Sequence, residues 1–356
     1  GVKIKQSSLL NFSSEIGEKL FSLLNKEHLQ VGVSASFSFD LSVQQIFPAL
    51  LGGHTLNVIP EEAKRRPSSL EEEMRVLDVC DCTPLIMSLI TDHLKNIGKA
   101  GAGPKMLLSG GEEMKKQTAA ELLGVMPGCR LFNCYGPTEC TVQTAIFALN
   151  AADLKRRDVV PVGKPIKNTR VYVLNDERKV SCPGQKGRIW IAGAGVSDGY
   201  ESEEELTDKA FCRDILFPDT VMYDSGDIGY WDHDGNLCCC GRADDQIKYR
   251  GYRIEPGEIE KCLEETEGIE RCKVIVTTDE QGSETHEQRQ SLTAFYTVSD
   301  RRDRQAKDLQ RALARKLPTY MIPQQFVRIE KFKINHNGKM DREALLYAIR
   351  KSRAEG

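Results

Sequence analysis

The first part of this chain, about residues 1–155, alternates between helix-type and strand-type hydrophobic patterns, and no other feature constrains the fold as strongly. Apolar residues recur at helical spacing in two segments, LLNFSSEIGEKLFSLL and MKKQTAAELLGVM. Short apolar runs bounded by turn residues indicate strands: GGHTLNVI, MLLSGG and CRLFNCYGPTE. Strands that alternate with helices form a mostly parallel sheet covered by helices. We therefore predict an α/β layer over residues 1–155.

The pattern changes twice after this layer. Over about residues 156–243, short strand-like runs are separated by Pro, Gly and Asp, and Asp234-Gly235 is a hairpin signal, so we predict a small β-barrel, with a β-sandwich as the alternative. Residues 244–356 combine the helical patterns of IEPGEIEKCLEETEGI and KDLQRALARKL with strand patterns. The sequence thus predicts an N-terminal core, residues 1–243, followed by a polar linker and a smaller α+β domain, residues 244–356.

Composition excludes several classes of partner. The net charge of −3 argues against a nucleic-acid or anionic-membrane partner. No apolar run approaches the roughly 20 residues of a membrane helix, and the start GVKIKQSSLLNF is unlike a secretory signal. The 12 cysteines lack zinc-type spacing, so we interpret them as reduced, buried thiols of a cytoplasmic protein. A metal site built from residues 238–240 is the weaker alternative, since adjacent strand residues face opposite ways.

Three loops carry residue types suited to nucleotide chemistry. In NCYGPTE, Thr138 can donate to a phosphate oxygen and Glu139 can hold a hard cation, although an ordinary surface turn is the alternative. In DSGDIGYW, Asp227 can accept both hydroxyls of a ribose, or form only an Asx-turn. In NHNGKMDREAL, Lys339 follows an Asn-Gly turn, where it suits a contact with phosphate or is simply solvated.

Taken in order, the motifs favour one interpretation. They are FDLS, SGGEE, NCYGPTE, GRIWIAGAGVSDGY, SGD, GRADDQIKYRGYRIEPGEIE, LPTYMIP and NGKMDR. This series resembles the adenylation domains of non-ribosomal peptide synthetases, within the adenylate-forming, AMP-binding superfamily, and it runs from about Gly1 to Leu345. Eight ordered motifs are far more specific than any one of them. The resemblance implies that an amino-acid carboxylate attacks the α-phosphate of Mg²⁺-bound ATP, and that the aminoacyl group then passes to the phosphopantetheine of a carrier protein.

The resemblance also implies roles for individual residues. Thr138 and Glu139 would contact the α-phosphate and Mg²⁺, and Lys339 would bridge the substrate carboxylate and the α-phosphate. Asp227, assisted by Arg242, would bind the ribose, and Tyr135 would pack against adenine. The nucleotide-binding residues implied in this way are Gly110, Gly111, Glu112, Tyr135, Asp227 and Arg242.

The C-terminal domain is implied to be a moving lid. Asp244 matches the hinge position, about which this domain would rotate between two orientations. One orientation would bring Lys339 to the active site. The other would present Lys248, Tyr249, Arg250 and Gly251 to the pantetheine tunnel.

Asp40 of FDLS distinguishes between subfamilies, because the resemblance pairs it with the substrate α-ammonium; a structural Asp at a strand end is the alternative. The residues implied to line the side-chain pocket are Leu41, Gln44, Asp81, Leu108, Gly110, Cys134, Val142 and Gln143. Three of these, Gln44, Asp81 and Gln143, are polar, and an apolar substrate would leave each unpaired at a cost of roughly 1–3 kcal/mol. We therefore expect a polar amino acid, Gln- or Glu-like first and basic second.

The chain also departs from the family pattern. The Ser/Thr/Gly-rich loop that wraps the β- and γ-phosphates in relatives is not present, and Gly1-Val2-Lys3 resembles the residues directly after it. We therefore expect an N-terminal part to be missing, the chain alone to adenylate poorly, and exposed apolar surface to promote self-association. Ser225 stands where Thr is commoner. The alternatives are a D-alanine–carrier-protein ligase, an acyl- or aryl-CoA ligase, and a catalytically incompetent fragment.

Overall fold

The computed structural model describes residues 1–64, 66–98, 103–244, 246–250, 252–279, 289–298, 305–333 and 342–354. The chain divides into two compact units, Gly1–Asp244 and Asp245–Gly356. The division falls in the polar run RADDQ. Each unit has its own apolar clusters and is described separately below.

The first unit begins with helix α1 (Gln6–Glu15), which continues as a π-helical turn (Ile16–Leu20) and a 3-10 turn (Phe21–Leu24). The elements of the α/β layer that follow are β1 (Gln30–Val33), α2 (Leu41–Leu51), β2 (Thr55–Val58), α3 (Glu61–Lys64), α4 (Pro67–Met74), β3 (Val79–Asp81), α5 (Pro84–Asn96), β4 (Met106–Ser109), α6 (Lys116–Val125), β5 (Arg130–Tyr135), a 3-10 turn (Thr138–Cys140), β6 (Ala145–Leu149), α7 (Ala151–Arg156) and β7 (Lys164–Pro165).

These strands form one seven-stranded sheet in the order β2-β1-β3-β4-β5-β6-β7. Pairing is parallel from β2 to β5, and β6 and β7 are antiparallel to their neighbours. Successive residues of β4 point to opposite faces, so Leu107 packs in one apolar cluster and Met106 and Leu108 in the other. Helices cover both faces, and the predicted α/β layer is confirmed.

The rest of the first unit is antiparallel. Its elements are β8 (Thr169–Leu174), β9 (Gly187–Gly193), α8 (Glu204–Ala210), β10 (Phe211–Arg213), β11 (Val221–Trp231) and β12 (Leu237–Arg242). The strand order is β10-β11-β9-β8, and β12 pairs with the later part of β11. We predicted a small barrel in this region. Among the described residues, the strand pairings instead form an open sheet that does not close on itself, because the short strands β10 and β12 both pair with the same edge of the long strand β11. The hairpin signal is confirmed, and Gly235 supplies the positive φ of 73°.

The second unit contains β13 (Ile247–Tyr249), β14 (Tyr252–Ile254), α9 (Pro256–Glu264), β15 (Ile269–Asp279), β16 (Arg289–Val298), α10 (Ala306–Ala314), a 3-10 turn (Thr319–Met321), β17 (Gln325–Arg328) and α11 (Arg342–Ala354). Strands β15, β16 and β17 form one sheet, and β13 pairs with β14 as a separate hairpin. Adjacent residues of β16 face apart. Ala294 packs with Leu263 and Leu309 of α9 and α10, whereas Phe295 packs with Leu345 of α11.

Two expectations about side chains can be compared with this fold. None of the 12 cysteines, all of which are described, forms a disulfide, and seven are buried. Cys182 and Cys240 are exposed instead. Large apolar side chains are exposed in and beside α2, among them Phe37, Leu50 and Leu51; self-association through them stays a prediction. Within the described ranges, no helix is long and apolar enough to cross a membrane.

Candidate active site

Several candidate residues lie where parallel strands end. Asp81 is the last residue of β3, Gly110 follows β4, and Tyr135 is the last residue of β5. Strands β3, β4 and β5 are adjacent and parallel, so their carboxyl ends meet at one edge of the sheet. In open α/β sheets this edge is where ligands bind.

Asp40 and Thr138, separated by 98 residues, meet at this edge. Asp40 directly precedes α2, and Thr138 begins the 3-10 turn after β5. The Thr138 hydroxyl donates to Asp40 Oδ2 over 2.5 Å, a short bond of the kind that a charged acceptor produces. The FDLS and YGPTE motifs are therefore in direct contact.

Close packing holds the YGPTE loop in place. A Cβ at Gly136 would lie 2.4 Å from the Val142 carbonyl oxygen and 2.7 Å from Gln143 Cα, so only glycine fits. Thr141 and Val142 have positive φ values of 60° and 67°, which is costly for β-branched residues. Thr144 N–H donates 2.7 Å to the Tyr135 carbonyl. This backbone strain was missed by the sequence analysis because glycine, its usual signal, is absent from both positions.

Glu139 is buried, and its carboxylate is oriented by a residue that the sequence analysis did not single out. Tyr200 Oη donates to Glu139 Oε1 over 2.7 Å, and Ser197 N–H donates to the Glu139 carbonyl over 2.9 Å. Among the described residues, no group of three or more His, Cys, Asp and Glu could hold a metal ion. One oriented carboxylate nevertheless fits Mg²⁺, which is commonly bound through one or two carboxylates together with substrate phosphates.

Tyr135, Asp227 and Arg242 form a second cluster. Tyr135 Oη donates to Asp227 Oδ2 over 2.6 Å, and Arg242 Nη1 donates to Asp227 Oδ1 over 3.2 Å. Burial, and then the charge of Asp227, raise the pKa of Tyr135 well above its ordinary value, so the phenol remains a donor. Ser225 supports the cluster, since its hydroxyl donates to the Ile189 carbonyl and accepts from Asp227 N–H. A carboxylate oxygen has more than one acceptor site, so Asp227 keeps capacity for a diol.

Arg242 also holds Asp244. Its Nε and Nη2 donate to the two Asp244 oxygens over 2.6 and 2.5 Å, a bidentate pair. The pair leaves the Asp244 side chain 49% exposed, at the end of the first unit. Gly226 makes room for this pair, because a Cβ there would lie 2.4 Å from Arg242 Nη2.

Gln44 and Asp81 form a buried pair in the predicted side-chain pocket. Gln44 Nε2 donates to Asp81 Oδ1, and the two residues are 1% and 2% exposed. Burial raises the pKa of Asp81 to about 7, although hydrogen bonds from Gln44 and Gln45 oppose the shift. Gln45, which the sequence analysis missed, also accepts from Ser34 N–H and Ala35 N–H over 3.0 Å each and so fixes the chain beyond β1.

The other pocket candidates lie beside this pair. A Cβ at Gly110 would be 3.0 Å from the Cys134 carbonyl oxygen and 3.5 Å from Gln143 Nε2. Burial raises the pKa of Cys134, and the charge of Asp81 adds to this effect. Leu108, Cys134 and Val142 belong to one apolar cluster. Leu41, which is half-buried, is the first residue of α2.

The remaining candidates are more scattered. Gly111 (φ 82°) and half-buried Glu112 follow Gly110 in the loop after β4. Lys248 and Arg250 are exposed on the hairpin of the second unit, where the Arg250 guanidinium lies 5.0 Å from the centre of the Tyr249 ring. Lys339 and Gly251 lie outside the described residues.

A model of the AMP-binding enzyme family matches residues 1–201. The chain belongs to the AMP-binding enzyme family. Bacitracin synthase 1 of Bacillus licheniformis is 35% identical over 349 residues, which is 97% of this chain and 6% of the synthase. A dimodular nonribosomal peptide synthase of Bacillus subtilis (strain 168) is also 35% identical over 349 residues, 97% of this chain and 14% of that protein. This AMP-binding enzyme therefore spans only a small part of the length of these relatives.

Solved structures agree with this assignment. Holo-PA1221, an NRPS protein containing adenylation and PCP domains, matches with a TM-score of 0.79 and 26% identity, over 97% of this chain and 59% of its own. The adenylation domain AlmE of Vibrio cholerae, in complex with glycyl-adenosine-5'-phosphate, has a TM-score of 0.82, over 98% of this chain and 64% of its own. At 22% identity, AlmE shows the fold alone. The resemblance of this AMP-binding enzyme to peptide-synthetase adenylation domains is confirmed.

Proposed function

We propose that this chain activates an amino acid as its aminoacyl adenylate and passes it to a carrier-protein phosphopantetheine. The contact between Asp40 and Thr138 is the observation that carries the proposal. In an amino acid, the ammonium and the carboxylate are attached to the same carbon atom. A carboxylate that binds the ammonium and a hydroxyl that binds the α-phosphate must therefore lie side by side, as Asp40 and Thr138 do.

In the proposed reaction, a substrate carboxylate oxygen attacks the α-phosphorus of ATP. The bond from that phosphorus to the oxygen bridging the α- and β-phosphates breaks, and pyrophosphate leaves. The substrate ammonium donates to Asp40 and so releases the Thr138 hydroxyl, which then donates to an α-phosphate oxygen. Such chemistry depends on positioning and charge neutralisation, and no protein nucleophile is needed.

Mg²⁺, when bound, would neutralise phosphate charge. Glu139 would hold it in the orientation that Tyr200 Oη fixes. Asp227 would accept the ribose hydroxyls, since Tyr135 and Arg242 hold its two oxygens in place. Lys339 keeps its proposed contact with the substrate carboxylate and the α-phosphate.

We place thioester transfer in the same proposal. Asp244 would be the hinge, and the Arg242–Asp244 pair would stiffen the chain on one side of it. Lys248, Arg250 and Gly251 would face the pantetheine arm of the carrier protein. Exposure of Lys248 and Arg250 on a short hairpin suits contact with a partner.

The substrate is proposed to be a polar amino acid. Gln44, Asp81 and Gln143 are all buried, and an alanine-sized or apolar substrate would leave Gln44 Oε1 and Gln143 Oε1 without hydrogen-bond partners. ATP–pyrophosphate exchange with each of the twenty amino acids, measured on the full-length protein, tests the proposal. We expect exchange that requires a polar amino acid. Fastest exchange with Leu or Phe would contradict the substrate assignment, and exchange with none of the twenty would contradict amino-acid activation.

A further inference from the structure

We infer that the side-chain pocket selects an amino acid whose side chain ends in N–H donors and rejects a carboxylate of the same length. The inference rests on the proposed function and adds to it the hydrogen-bonding direction of the pocket. It separates two substrates that polarity alone leaves equivalent, glutamine and glutamate.

The buried pair of Gln44 and Asp81 determines whether the pocket donates or accepts hydrogen bonds. Because Gln44 faces a carboxylate, its amide must present Nε2 to Asp81, as it does. The opposite atom, Gln44 Oε1, is therefore fixed as an acceptor, and it is buried with no hydrogen-bond partner. Gln143 Oε1 is likewise buried without a partner. The pocket thus offers the Asp81 carboxylate and Gln44 Oε1 as acceptors of fixed orientation, whereas Gln143, whose Nε2 lies nearest Gly110, can present either end of its amide.

These acceptors lie along the same edge of the sheet. Asp81 lies close enough to Cys134 for its charge to raise the pKa of that thiol. Cys134 in turn borders Gly110, where a Cβ would be 3.6 Å from Cys134 Cβ and 3.5 Å from Gln143 Nε2. Gly110, which directly follows β4, therefore lets Gln143 approach Cys134 and the nearby Asp81, because a side chain at position 110 would crowd Cys134 and Gln143. A substrate side chain bound at this edge of the sheet would meet Asp81 and Gln143.

Energetics then separate the substrate classes. Leaving a buried acceptor without a donor is destabilising, so N–H donors are favoured over apolar groups. A carboxylate supplies no donor and, above about pH 7 where Asp81 is ionised, also places a second negative charge beside it. A primary amide and an alkylammonium share the required N–H donors. A site built around hydrogen bonds can reject an analogue without them by roughly 10⁴-fold, so a 100-fold preference for glutamine over glutamate is a modest expectation of about 3 kcal/mol.

The first test is a comparison of substrates on the unaltered, full-length protein. ATP–pyrophosphate exchange would be measured as kcat/KM for glutamine, asparagine, lysine, ornithine, glutamate and leucine. We expect the highest value for a donor-terminated side chain and about 100-fold less for glutamate than for glutamine. Glutamate or leucine equal to or above glutamine would overturn the inference while leaving amino-acid activation intact. Exchange with no amino acid would overturn the proposed function, and the inference with it.

The second test uses Asp81→Asn, which keeps an oxygen to accept from Gln44 but removes the charge. In exchange assays at about pH 8, where Asp81 is ionised in the unaltered protein, we expect the preference for glutamine over glutamate to shrink at least about tenfold, since the like-charge repulsion is lost. If kcat/KM falls more for lysine or ornithine than for glutamine in Asp81→Asn, the natural donor is an ammonium. If it falls more for glutamine, the natural donor is an amide. The exposed Asp208→Asn in α8 is the matched control and should change neither ratio. An unchanged glutamine-to-glutamate ratio in folded Asp81→Asn protein would overturn the inference.

Discussion

The Thr138 hydroxyl donates a 2.5 Å hydrogen bond to Asp40, joining two motifs that lie 98 residues apart in the chain. Asp40 stands at the start of α2 and Thr138 in the turn after β5. The contact brings the proposed ammonium site and the proposed α-phosphate site together before substrate arrives. Such preorganisation lowers the cost of positioning the reacting groups.

Asp40→Asn should weaken amino-acid binding. The amide oxygen can still accept from Thr138, but the charge that pairs with the substrate ammonium is lost. Breaking such a pair costs about 3–5 kcal/mol, so we expect KM for the amino acid to rise at least about 100-fold while KM for ATP changes little. Exchange kinetics at varied amino acid and varied ATP measure the two separately. Equal effects on both, or no effect, would argue against the role of Asp40; Asp208→Asn is the exposed control.

Gly136→Ala should displace the YGPTE loop. The added methyl group would lie 2.4 Å from the Val142 carbonyl oxygen and 2.7 Å from Thr144 N, which are backbone atoms that cannot move aside locally. We expect the free energy of unfolding to fall by at least about 1–3 kcal/mol, with loss of exchange activity. Gly128→Ala is the matched control, because nothing lies within 4 Å of its Cβ position. Denaturant unfolding of both variants measures the difference, and equal stability would contradict the close packing described here.

Tyr135→Phe should affect both stability and nucleotide binding. It removes the 2.6 Å hydrogen bond to Asp227 in a buried setting. Leaving a buried acceptor short of a donor costs about 1–3 kcal/mol. We therefore expect a lower free energy of unfolding and a higher KM for ATP, with KM for the amino acid nearly unchanged. Tyr347→Phe, on an exposed side chain, provides the comparison. An effect on the KM for the amino acid alone would contradict the placement of Tyr135 at the nucleotide site.

Asp81 should make stability depend on pH in an unusual direction. Burial raises its pKa to about 7, so the folded state keeps a proton that the unfolded state loses above about pH 4. The contribution of Asp81 to stability therefore falls as pH rises from about 4 to about 7, by on the order of 4 kcal/mol, and is constant above that window. The groups facing it, Gln44, Gln45 and the thiols of Cys80 and Cys134, carry no charge in this range.

Denaturant unfolding of the wild type and of Asp81→Asn at several pH values isolates this contribution. Other carboxylates, such as Asp78 and Asp214, have lowered pKa values and contribute the opposite slope to both proteins. The wild type should lose stability relative to Asp81→Asn between about pH 4 and 7. Parallel curves would show that Asp81 titrates near its ordinary pKa.

The sequence predicts the parallel layer because three of its strands carry recognisable apolar runs, as in MLLSGG, whereas the short β1 and β3 carry no such run and were not predicted. It predicts the antiparallel sheet but not that this sheet stays open, since closing it into a barrel depends on which strands pair with β11. The proximity of Asp40 and Thr138 could be expected only from the ordered motifs. Contacts such as Tyr200 with Glu139 leave no local signal, because they arise when distant segments pack. The only local sign of Gln45 is that it is a second glutamine beside Gln44 in a mostly apolar helix.

The most direct test of amino-acid activation compares an amino acid with its analogue lacking the α-amino group. ATP–pyrophosphate exchange would be measured with both on the full-length protein and on Asp40→Ala. We expect exchange with the amino acid, almost none with the deaminated acid, and loss of that preference in Asp40→Ala. Equal exchange with the two acids in the unaltered protein would contradict amino-acid activation.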